Sequence, residues 1–108
     1  MTPEFESVFE SAQVALGLSH YDVKFKAEPD SGNYANADID PASCTAVIRV
    51  DTALCERDGQ VAQVAVHEVL HLLIADLRHA IGISREAGDW VEEQTVRKIE
   101  AAVFKGLP

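Results

Sequence analysis

Apolar residues recur with helical spacing near the start of the chain. Phe5, Val8, Phe9, Ala12 and Leu16 share one face at the 3.6-residue period, and Gly17 stops the run. Thr2 suits an N-cap, Pro3 the first helical position, and Glu4 and Glu6 the positive helix end. The pattern predicts a helix over residues 3–16. The period then falls to two. In HYDVKFKAE, residues 20–28, Tyr21, Val23 and Phe25 alternate with Asp22, Lys24 and Lys26, as a half-buried strand requires. PDSGN (29–33) is a turn cluster, YANADID (34–40) a weaker strand ended by Pro41, and CTAVIRV (44–50) a β-branched third strand. The short links between them favour an antiparallel meander.

After Asp58 the helical period returns. Asp58 is the expected cap of a long helix from about Gly59 to Ala80, with Gly82 as its stop. IGISREAGD reads as a loop, or a loop plus a short turn, and a last helix runs from about Asp89 to Phe104, ahead of Gly106 and Pro108. The order α-β-β-β-α-α predicts an α+β fold with a three-stranded, mainly antiparallel sheet packed on the last two helices. A chain of 108 residues can bury one core and not two, so residues 1–108 are read as a single domain.

Composition narrows the function classes. With 47% hydrophobic and 25% charged residues the chain is neither disordered nor fibrous. A net charge of -9, with Lys and Arg scattered singly, argues against nucleic-acid and anionic-membrane partners, which would be repelled. The start MTPEFESVFE has neither a basic stretch nor an apolar core, so no targeting segment is expected and the default compartment is the cytoplasm. The apolar stretch near residues 61–77 is interrupted by His67, Glu68, His71 and Asp76 and does not read as a membrane span. Cys44 and Cys55 form no CxxC pair and are expected as half-buried free thiols.

The unusual feature is HEVLH, residues 67–71, inside the apolar run VAVHEVLHLLIADL. Positions i and i+4 lie on one helix face about 5–6 Å apart, so His67 and His71 can share one ion. Glu68 is rotated by about 100°, which makes it a poor ligand but places it beside a water on that ion. Both histidines share a face with Val64, Ile74 and Arg78, so they point inward and need a partner. A catalytic Zn²⁺ takes three protein ligands and keeps one position open. The third is sought in the last helix, DWVEEQTVRKIEAAVF, whose apolar stripe is Val96, Ile99 and Val103. Glu92 falls at the centre of that stripe, where an unpaired carboxylate is costly. Glu93 falls at the stripe's edge and also suits an acidic first turn, so the choice between the two glutamates stays open with Glu92 preferred.

The order H-E-x-x-H, about twenty residues, then a glutamate on the next helix resembles the gluzincin branch of the zincin metallopeptidases. His71 and Glu92 are 21 positions apart. Small size and element order look like the minigluzincins and the short phage-type metallopeptidases with HExxH…EExxV. The resemblance covers most of the chain as topology but only HEVLH and EEQTV as sequence. It implies His67, His71 and Glu92 as ligands of one Zn²⁺ per chain, Glu68 as general base, and hydrolysis of a peptide or protein substrate lying along CTAVIRV as an edge strand.

Two departures from that pattern matter. Thermolysin-like gluzincins carry an acidic residue four after the glutamate ligand to orient the first histidine, and here that position is Val96. Asp89, one turn before Glu92, is either such an orienting carboxylate or the N-cap. No second domain is expected within these 108 residues to stabilise the oxyanion, which leaves Tyr34, Arg78, His79 and Arg85 as candidates. His20 and His79 fit no metal spacing and read as surface residues, and Trp90 as a core anchor. The alternative to a peptidase is a zinc-binding interaction module whose site is structural or self-inhibited.

Overall fold

The computed structural model describes residues 3–29, 32–82 and 92–100. Thr2, Arg85, Asp89, Trp90, Val103 and Phe104, singled out above, lie outside them. Helix α1 spans Pro3–Ala15. It ends as its glycine suggests: Gly17 takes φ 71°, its N–H donates to Val14, and the Leu18 N–H reaches the Gln13 carbonyl at 2.9 Å. This Schellman closure needs a left-handed residue, which glycine supplies without a Cβ penalty. Leu18 is itself buried. The Gln13 amide, also buried, donates to the carbonyls of Leu18 and Tyr21 and holds the path from α1 into the first strand.

Three strands follow, β1 (Asp22–Ala27), β2 (Ala35–Asp40) and β3 (Thr45–Val50). They do not form the expected antiparallel meander. The order is β1-β3-β2, with β1 parallel and β2 antiparallel to β3, so the sheet is mixed. The reason lies in the strands' composition. β3 buries Ala46, Ile48 and Val50 and carries the β-branched residues, so it takes the centre. β2, ANADID, exposes a polar residue at every second position and is suited to an edge. The link after β1 crosses the end of β3, where the Glu28 N–H donates to Val50 and the Asp51 N–H to Tyr34, both at 2.9 Å. Residues 28–44, β2 included, thus form the long crossover that a parallel pair needs.

A short helix α2, Thr52–Arg57, precedes the long one and was not among the expected elements. Six residues are too few for a periodic signal, but Asp51 caps it, its carboxylate accepting from the Leu54 N–H at 3.1 Å. Asp58 is therefore not the cap of the long helix. It closes α2, and its carboxylate is committed to the Tyr34 hydroxyl (2.6 Å) and Arg57 (2.9 Å), which hold it below the usual carboxylate range. Helix α3 runs Val61–Ile81 from Gln60, which makes no side-chain cap, and stops at Gly82 (φ 76°) as predicted. Residues 92–100 form a further helix, α4.

The core lies between the inner face of the sheet, α1 and α3. Phe5 and Phe9 meet Phe25 of β1 edge-on at centroid distances of 6.0 and 5.2 Å. From α3, Ala65, Val69 and Leu72 are fully enclosed in the same cluster. Burial of each large side chain contributes about 1.5–3 kcal/mol, so this face of α3 anchors the fold. Cys55 is buried there as a free thiol, pushed up in pKa chiefly by desolvation, and Cys44 is half-buried and free. Among the described residues no helix is long and apolar enough to cross a membrane.

Candidate metal centre

The apolar packing of α3 sets the roll of the helix and so decides what its other face presents. With Ala65, Val69 and Leu72 turned to the core, Gln63, His67, His71 and Arg78 turn to α4. Helix α4 answers with Glu92, Glu93 and Glu100, and seats Val96 with no exposed surface.

The two imidazoles face each other through Nε2, 3.2 Å apart. Glu93 completes a triangle, one carboxylate oxygen 3.6 Å from His67 Nε2 and the other 3.1 Å from His71 Nε2. His67, His71 and Glu93 are the group that could hold a metal ion among the described residues. Ligands at about 2.0–2.2 Å around a tetrahedral Zn²⁺ sit about 3.3–3.6 Å from one another, so these separations suit a common ion. Two nitrogens and one carboxylate oxygen are also a donor set that zinc accepts.

The outer nitrogens are committed elsewhere. His67 Nδ1 meets Glu100, whose other oxygen accepts from the Gln63 amide at 2.7 Å. His71 Nδ1 meets Glu92 at 3.0 Å, and Glu92 accepts from Arg78 Nη1 at 3.0 Å. A proton on each Nδ1 would satisfy the carboxylate there and leave both Nε2 atoms as lone-pair acceptors. Each Nε2 then lies within 3.6 Å of the other and of a Glu93 oxygen, and such facing acceptors repel unless a cation, or a proton on an imidazole, lies among them.

The structure thus redistributes the expected roles. It brings His67 and His71 together as the spacing requires. Glu92, preferred above, is not part of that group: it lies behind His71, tied to Arg78, while Glu93 reaches the imidazole pair. The carboxylate that meets the outer nitrogen of His67 is Glu100, which the sequence reading did not single out. Its signal was present, since Glu100 stands two turns beyond Glu93 on the same helix.

Glu68 is buried beside the triad. Desolvation raises its pKa above the ordinary carboxylate range, against the pull of His71 and His67. It lines an open cavity of about 380 Å³ with His67 and His71, with Glu92 and Glu93 of α4, and with Ala35, Asn36, Ala37 and Ile39 of β2. The strand beside the site is therefore β2. The expectation that CTAVIRV offers a free edge fails, because β3 is paired on both sides. The oxyanion candidates within the described residues are also engaged or remote. Tyr34 donates to Asp58, Arg78 to Glu92, and His79 is exposed. His20 is exposed too and lies 3.8 Å from Asp76, which accepts from the Tyr21 hydroxyl at 2.8 Å.

No protein-family model matches the sequence, and neither a curated protein nor a solved structure matches it.

Proposed function

We propose that this domain is a zinc-dependent metallopeptidase in which His67, His71 and Glu93 hold one Zn²⁺ per chain. The observation that carries the reading is the convergence of two imidazole acceptors and a carboxylate, with both Nδ1 atoms already tied to Glu100 and Glu92. Zn²⁺ supplies Lewis acidity, polarising a scissile carbonyl and acidifying a water. The chain's own part is proton transfer and positioning. Glu68 accepts the proton of the attacking water and passes it to the leaving amine, a task helped by burial, which raises its affinity for a proton. The peptide or protein substrate lies along β2, whose residues line the cavity.

A second reading, a zinc-binding module with little turnover, is favoured by one observation: no oxyanion candidate among the described residues lines the cavity. Elemental analysis and a peptide-library assay separate the two. One zinc per chain is expected, lost in His67→Ala and Glu93→Gln but kept in Glu68→Gln, whose hydrolysis falls by about 10²–10⁴-fold. Zinc uptake with no cleavage by either wild type or Glu68→Gln selects the second reading. No zinc uptake sinks both.

A further inference from the structure

The free edge of β2 has a definite phase. Because the Asp51 N–H donates to the Tyr34 carbonyl, Tyr34 and Asp51 form a hydrogen-bonded pair at the end of the β2–β3 ladder. Such pairs alternate along antiparallel strands, so the main-chain groups of Asn36, Asp38 and Asp40 turn toward β3. Those of Ala35, Ala37 and Ile39 turn outward, where no strand pairs with them among the described residues. The same three residues put small or aliphatic side chains on the cavity. An extended peptide on this edge could therefore make up to about six main-chain hydrogen bonds and place alternate side chains on two unlike faces.

The outer face is acidic. Asn36, Asp38 and Asp40 are all exposed there, and Glu28 accepts from Asn36 at 3.1 Å. Arg49 of β3 meets Asp38 at 3.2 Å, but Asp38 remains 70% exposed, leaving that carboxylate open to a second partner. Lys24 and Lys26 stand on β1, two strands away or about 10 Å. A strand laid on β2 thus meets an apolar row on one face and a net negative row on the other.

We infer that the β2 edge docks extended peptide segments bearing Lys or Arg at alternate positions, the basic side chains lying over Asp38 and Asp40 and the intervening ones facing the cavity. This rests on the peptidase reading for its consequence, since it names the substrate class, but the docking itself needs no metal. Acidic residues on an edge strand also deter self-pairing, and the two roles give different results.

The test uses three capped octapeptides in which threonine alternates with lysine, serine or glutamate. Their affinity for the zinc-loaded Glu68→Gln chain is measured by anisotropy, with zinc content read in parallel. Two cross-strand charge pairs should make the lysine peptide roughly 2- to 30-fold tighter than the serine peptide. The glutamate peptide should be weakest. Asp38→Asn with Asp40→Asn should bring the lysine peptide down to the serine level, leaving the serine peptide and the zinc content unchanged. Equal binding of lysine and serine peptides to zinc-loaded protein overturns the inference and leaves the metal reading intact, as does a preference untouched by the double substitution. A lysine preference that the double substitution abolishes, in a chain that takes up no zinc, upholds the docking edge and sinks the peptidase.

Discussion

The two long faces of α3 make a controlled comparison. One carries Ala65, Val69 and Leu72, closed over by α1 and the sheet. The other carries Gln63, His67, His71 and Arg78, each held by a glutamate of α4. They share a backbone and differ only in what they bury. The apolar face gains from removing hydrocarbon from water. The polar face must match every donor with an acceptor, and where its acceptors face one another a cation or a proton must lie among them. Stability and chemistry are thus separated by half a turn of one helix.

The sharpest way to break that separation is to cut the apolar face. Leu72→Ala should cost about 2–5 kcal/mol in denaturant unfolding, from lost burial and a residual cavity. Below the unfolding transition it should still bind one zinc. Loss of zinc from protein that is still folded would show that the faces are coupled.

Removing the carboxylates behind the histidines acts on the other face. Glu92→Gln and Glu100→Gln should each weaken zinc binding by about 10–100-fold in chelator competition, with little change in unfolding of the metal-free chain. If Glu92→Gln instead abolished zinc while Glu93→Gln retained it, the ligand and its supporting neighbour would be interchanged.

The smallest effect concerns Glu68. Burial raises its folded pKa above the unfolded value, so between the two the native state holds the extra proton. Stability of the metal-free chain then falls as pH rises through that window, and the whole cost is present above it. Glu68→Gln carries no such cost. Without metal it should be more stable than wild type at pH 8, with the gap closing as pH falls below the unfolded-state pKa. A wild type that is the more stable at pH 8 would mean the buried carboxylate is well satisfied as an anion.

Much of this was legible in the chain. The Gly17 and Gly82 stops, the alternation of β1, the apolar weight of β3 and the i, i+4 histidines are all set within a few residues, where backbone sterics and period decide. What escaped was decided by neighbours far along the sequence. Whether β3 lies at the edge or the centre depends on which strand best fills the space against α1 and α3, and that competition has no local signature. Asp58 looks like an N-cap until Tyr34, 24 residues earlier, is found holding it.

Glu92 and Glu93 show the boundary most plainly. Adjacent helical residues point about 100° apart, so which one meets the imidazoles is set by the roll of α4 against α3. Val96 seated in the interior, Arg78 drawing Glu92 aside and Gln63 anchoring Glu100 fix that roll together. By itself the sequence determined that a pair of histidines one turn apart shares a helix face and that a glutamate-rich helix follows, because helical periodicity is local. Only the tertiary structure decided which glutamate reaches the pair and which strand borders the cavity, because both depend on how separate elements pack.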